Sequence, residues 1–92
     1  MTKSDLIEVV AQKASLTKDK AGTVVNAIFE LMVDAMKSDE RIEIRNFGNF
    51  TVRKYPPYVG RNPKSGNPVQ VAEKRMPFFK VGLELKNRVD GK

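Results

Sequence analysis

The run Arg61-Asn62-Pro63-Lys64-Ser65, set between Gly60 and Gly66, holds the residue types in this chain best suited to a chemical task, and that task is binding. Cations spaced along an extended ribbon are placed to meet phosphates, which lie one per ~1.7 Å of duplex axis. A rigid proline ring at the tip of a turn can wedge between base pairs and unstack them, because it exposes no N–H in need of a partner. Taken alone, the same run also reads as a mobile surface loop. Catalysis has little to build on. The chain has no histidine and no cysteine, so thiolate and imidazole metal sites have no ligands. No serine sits in a nucleophile elbow and no glycine loop is shaped for a phosphate. The expectation is a protein that is not an enzyme, with no cofactor, no metal and no small-molecule substrate.

Charge supports a polyanionic partner. The 92 residues carry a net +6, but unevenly. Residues 1–40 hold five basic and seven acidic groups, a balance of −2, whereas residues 41–92 hold twelve against four, a balance of +8. A cationic half suggests a nucleic-acid-facing surface, the alternative being a solvated face that serves solubility. The absence of cysteine fits a reducing compartment. The N-terminal MTKSDLIEVV has no signal-peptide character, and no apolar run approaches the ~20 residues needed to span a bilayer. A cytoplasmic location without membrane contact is expected.

The elements that must position these residues follow from the periodicity. Thr2 caps a helix expected over Lys3–Ala14, with Leu6, Val10 and Ala14 on one stripe. Thr17 caps a second helix expected over Lys18–Met36. Its apolar stripe, from Ala21 through Val24, Val25, Ile28, Leu31 and Met32 to Ala35 and widened by Phe29, needs cover on more than one side. A chain this short buries only about 60–65% of its unfolded surface, so dimerisation is the natural way to enlarge the core. Gly22 inside this helix reads either as a close approach to the first helix or as simple tolerance. From Arg41 the period falls to two: residues 41–45 and 50–55 read as strands joined by a turn at Asn46-Phe47-Gly48-Asn49. Between Tyr55 and Arg75 prolines, glycines and cations alternate, giving a hairpin arm with its tip near Pro63. Met76–Lys80 returns as a strand, and Gly82 opens a last helix.

The run FGNFTVRKYPPYVGRNPKSG, residues 47–66, resembles the signature of the bacterial HU and integration host factor family, and the likeness extends from MTKSDLIEVVA to the last helix. The resemblance implies an α+β fold: an intertwined dimer with a helical base, a three-stranded antiparallel sheet per subunit and a protruding β-hairpin arm. Residues 1–40 would be the helical dimerisation part, 41–54 and 76–81 the sheet, about 55–75 the DNA-binding arm, and 82–92 the final helix. It implies a histone-like protein that bends double-stranded DNA from the minor groove and organises the nucleoid. Pro63 matches the intercalating position, flanked in the groove by Arg61, Asn62, Lys64 and Ser65. Arg53, Lys54, Tyr58, Lys74 and Arg75 match the arm and its stem, and Lys3, Lys80 and Lys86 match body positions that hold the DNA flanks. Phe47, Phe50 and Phe79 match an aromatic core between sheet and helices.

Two stretches depart from the common pattern, and Ser65 replaces the usual Thr while keeping the hydroxyl. Val81-Gly82-Leu83 stands where Pro-Gly-Lys is usual, so the flanks would lose one phosphate contact. Tyr55, Pro56, Pro57, Tyr58 and Val59 replace an arginine-rich strand, so grip there would rest on stiffness and apolar contact. RIEIRNFG, residues 41–48, is similar to the integration host factor β branch, in which Arg45 and Glu43 would help read groove shape, with Asn46 beside them. Asn46 itself, where glycine is common, argues against a strict match, and the three charges Arg41, Glu43 and Arg45 equally fit a solvated strand face. A homodimer of low sequence preference is expected, with one half of a sequence-preferring heterodimer as the alternative. An RNA-binding or protein-interaction module is the alternative of another class.

Overall fold

The computed structural model describes residues 1–91, in which three helices and five strands form. α1 (Lys3–Lys13) starts on a reciprocal cap: the Thr2 hydroxyl accepts from the Asp5 N–H at 3.1 Å, and the Thr2 N–H donates to the Asp5 carboxylate at 2.9 Å. Such a cap contributes about 1 kcal/mol. α2 (Lys18–Lys37) starts on Thr17, whose hydroxyl accepts from the Lys20 N–H. It ends on a left-handed residue, Asp39, at φ 60°. The Asp39 and Glu40 N–H groups donate back to the Met36 and Ala35 carbonyls at 3.1 and 2.9 Å. That pair of bonds closes the helix in a Schellman turn, a position that glycine fills without strain.

The sheet β1 (Ile42–Ile44), β2 (Gly48–Tyr55) and β5 (Lys74–Val81) is antiparallel in that order. The β1–β2 turn is tighter than the sequence suggested. Arg45-Asn46-Phe47 makes it, with Asn46 at φ 67°, and Gly48 and Asn49 already belong to β2. Gly48 is required there, because a Cβ would fall 2.5 Å from the Phe79 ring and 2.6 Å from the Lys80 carbonyl. Phe79 lies 4.7 Å from Phe50 and 5.7 Å from Phe47, centroid to centroid, which forms the expected aromatic cluster. β5 begins two residues earlier than expected, since Lys74 and Arg75 pair with Tyr55 and Lys54.

Beyond Tyr55 the ladder stops. Pro56-Pro57 on one side and Ala72-Glu73 on the other interrupt it, and β3 (Tyr58–Arg61) with β4 (Pro68–Val71) forms a separate two-stranded ribbon. Proline cannot donate to a ladder, which accounts for the break. The expected arm is therefore present as two segments in series. It projects: the radius of gyration is 19.0 Å, against about 12 Å for a compact chain of this length. α3 (Leu83–Asp90) closes the described chain, and Lys92 of the expected 82–92 segment lies outside the described residues.

Among the described residues only Ala21 (0% exposed) and Val25 (3%) are buried apolar side chains. On α2, Ile28 is 51% exposed and Leu31 69%. Gly22 does not mark a close approach, because a Cβ there would meet only Ile7 at 3.9 Å, an ordinary contact. The two glycines thus predict opposite outcomes. Gly22→Ala raises stability by up to about 1 kcal/mol through helix propensity, whereas Gly48→Ala lowers it by roughly 1–3 kcal/mol through overpacking. Thermal melts of both variants at one protein concentration check the two signs.

Candidate nucleic-acid interface

The tip is built by its own short hydrogen bonds. The Asn62 side-chain oxygen accepts from the Lys64 N–H at 2.9 Å, and its carbonyl accepts from the Gly66 N–H at 2.7 Å. The Ser65 hydroxyl accepts from the Asn67 N–H at 3.3 Å, and the Asn62 N–H donates to the Asn67 carbonyl at 2.9 Å. Gly66 supplies the left-handed residue at φ 73°. Asn62 and Ser65 therefore shape the turn that holds Pro63, Arg61 and Lys64 out in solvent. This is a task that residue type alone left undistinguished from contact with a partner.

Behind the tip the ribbon is uncharged. Residues 55–60 and 65–72 contain no ionisable acid or base other than tyrosine, so the outer segment carries only Arg61 and Lys64. Tyr58 pairs with Val71 across the ribbon, and a Cβ at Gly60 would meet the Tyr58 ring at 3.5 Å and Val71 at 3.8 Å. Tyr58 thus lies along its own ribbon with its ring still exposed.

Strand alternation then sorts the stem cations by face. Gly48, Phe50, Val52 and Lys54 share a face with Val81, Phe79, Pro77 and Arg75. This face is turned to α2, because the Arg75 guanidinium donates to the Met36 and Lys37 carbonyls, both at 3.0 Å, and to the Asp39 carboxylate. Lys54 reaches the same carboxylate at 3.6 Å. The opposite face carries Asn49, Thr51, Arg53 and Tyr55 beside Lys80, Phe78, Met76 and Lys74. Arg53 stacks on Phe78, 3.3 Å from its centroid, and the Lys74 ammonium stands 5.9 Å from the Tyr55 ring.

The expected stem set therefore divides. Arg53, Lys74 and Lys80 lie on the outer face, whereas Lys54 and Arg75 lie toward the helix with an acidic partner. Phe78 joins the outer face as a platform for Arg53. The signal for it was its place one residue from Phe79 in a strand, where neighbouring side chains point to opposite sides. Glu43 pairs with Arg41 at 3.0 Å; Arg45 and Asn46 occupy the hairpin turn. Lys3 opens α1 beside Asn26, Glu30 and Asp34 of α2, and Lys86 lies on α3. Leu83, at the departure from the usual lysine, is 75% exposed. No helix among the described residues is long and apolar enough to cross a membrane, and no acidic cluster there has metal-binding geometry.

Comparison with known proteins bears on this surface. The family profile described as bacterial DNA-binding protein matches residues 1–90. Integration host factor subunit beta of Ralstonia nicotianae is 50% identical over 98% of the chain, which spans 66% of that protein's own length. The same subunit of Herminiimonas arsenicoxydans is 48% identical over 98% of the chain and is covered to 90%. Among solved structures, the HU of an Anabaena HU–DNA cocrystal superposes with a TM-score of 0.88 at 33% identity, with both chains fully covered.

The Asp39 carboxyl sits below the usual aspartate range, first because Arg75 hydrogen-bonds to it. Loss of solvent opposes this shift, and the charges of Arg75 and Lys54 reinforce it. A carboxyl lowered on folding contributes its interaction fully above the unfolded value and loses it as pH falls through the folded one. Carbon-detected NMR titration should place Asp39 below its unfolded value in the parent protein. In Arg75→Ala it should move back up toward that value.

Proposed function

Since the chain belongs to the HU and integration host factor family of bacterial DNA-binding proteins, we propose that it acts as a dimeric architectural protein that bends duplex DNA from the minor groove. The observation that carries this reading is the exposed Pro63 at the end of a ribbon rooted in a sheet whose outer face presents Arg53, Lys74 and Lys80. The sheet face meets phosphates, the arm follows the groove, and Pro63 enters a base step. Unstacking one step costs a few kcal/mol, offset by the extra backbone contact that a bent duplex makes. Cations at tip and stem, with an uncharged shaft between, mean that each arm draws on phosphates at its two ends. Asn62 and Ser65 serve by holding the turn, and Tyr58 by apolar contact with the groove wall. Lys3 and Lys86 extend the contact to the flanks.

The half-exposed α2 supports the dimer. Val24, Ile28, Phe29, Leu31 and Val33 cannot stay in water where only two apolar side chains among the described residues are buried, and because they lie on more than one side of α2, a second subunit that packs around this helix covers them. We read the partner as a second copy and the sequence preference as low. Similarity to integration host factor β subunits favours a second reading, in which the partner is a paralogous chain. Sedimentation of the chain alone separates them. A stable dimer with tight DNA binding is expected, and a monomer that binds DNA only with an added paralogue would establish the second reading.

Elastic bending of a 20–30 base-pair site costs about 1–6 kcal/mol, so a nicked duplex should bind roughly fivefold or more tighter than an intact one. Pro63→Ala should leave the dimer assembled, since the ring is exposed, and should reduce the bend seen by fluorescence transfer between duplex ends. Equal affinity for nicked and intact DNA, measured by gel shift at two salt concentrations, would sink the bending mechanism.

A further inference from the structure

We infer that Arg75 and Asp39 form a clamp that sets the direction of the arm, so that Arg75 is a positioning residue for DNA bending and not a phosphate contact. The inference rests on the DNA-bending reading above. Lys54 and Arg75 are the penultimate pair of the β2–β5 ladder, and Tyr55 and Lys74 the last. Everything farther out is joined to the body only through this root, because the ladder is interrupted at Pro56-Pro57. A two-stranded ribbon holds its own orientation poorly in water. At this root one guanidinium nitrogen lies 3.0 Å from the Met36 carbonyl, 3.0 Å from the Lys37 carbonyl and against the Asp39 carboxylate. The two carbonyls are the negative end of α2, so helix dipole and carboxylate attract the same cation. The contact joins residues 36 to 39 positions apart and ties the arm root to the longest helix.

Two further observations point the same way. Asp39 holds φ 60°, a backbone position that glycine adopts without strain, and its side chain is spent on Arg75 and Lys54. Local strain retained at a residue with so specific a contact suggests a task for the side chain. Arg75 also projects to the helix side of the sheet, away from the face that carries Arg53, Lys74 and Lys80. The pair is about half exposed, so it adds little to stability; its effect is geometric. Lysine cannot substitute, because its ammonium ends one bond short of the terminal guanidinium nitrogen that makes all three contacts, and its flexible stem is not pre-organised to hold them.

The test uses the full chain as its dimer. Arg75→Lys keeps the charge and Asp39→Gly keeps, and relaxes, the backbone turn. Both variants should fold, with Asp39→Gly at least as thermostable as the parent. Each should lose at least threefold of the preference for nicked over intact duplex, with the salt dependence of binding unchanged. Combining them should add no further loss. In the free protein, ¹⁵N relaxation should show lower order parameters for residues 58–71 in either variant. The inference is overturned if both variants keep the nicked-duplex preference within twofold, or if Arg75→Ala lowers the slope of log affinity against log salt by about 0.9 per contact, as a lost phosphate contact does. If the parent protein shows no preference for nicked DNA, the bending reading itself fails and the inference falls with it. That outcome is visible in the control lane before any variant is scored.

Discussion

Eight cross-strand pairs join β2 to β5, and their register decides what each face of the sheet can do. Side chains alternate along a strand, so a slip of one residue would exchange the two faces entirely. In the observed register Phe50 and Phe79 meet toward α2, and Arg53, Lys74 and Lys80 face away from it. Gly48 pins this register at one end, because the Phe79 ring occupies the space a side chain would need. At the other end Lys54 and Arg75 meet Asp39. The aromatic packing and the cationic surface are thus two results of one alignment, and neither can be altered by shifting the strands without losing the other.

Much of this was legible in the sequence, for physical reasons that differ by element. Both long helices announced themselves by Thr caps and a four-residue apolar spacing, local signals that need no tertiary knowledge. The three sheet strands, the hairpin arm and the turn around Pro63 followed from period two and turn-forming residues. What escaped was long-range or directional. Arg75 and Asp39 are 36 residues apart, and nothing in their spacing reveals a contact. Counting cations gave Lys54 and Arg75 the same weight as Arg53 and Lys74, although the pleat sends the two pairs to opposite faces. Asn62 and Ser65 illustrate the other limit: a polar side chain beside a tip serves the turn or the ligand, and composition does not say which.

The exposed stripe on α2 has a related origin. An amphipathic helix shows how wide its apolar face is, and a face wider than one contact implies a second covering surface. The sequence therefore carries the demand for a partner without carrying the partner's identity. The structure sharpens that demand by leaving Val24, Ile28, Leu31 and their neighbours exposed, while Ala21 and Val25 in the first half of the same helix are buried.

The interruption at Pro56-Pro57 has a consequence for how such a protein changes over generations. The outer ribbon holds its own ladder and its own turn bonds, and no ladder pair ties residues 58–71 to the body sheet. Substitutions there act nearly independently of those in the body, as distant sites without shared partners do. Drift in the ribbon can retune what the arm touches at little risk to folding, whereas Gly48 and the aromatic cluster are held fast. The proline pair thus separates a scaffold constrained by its own packing from a ribbon constrained by what the arm must touch.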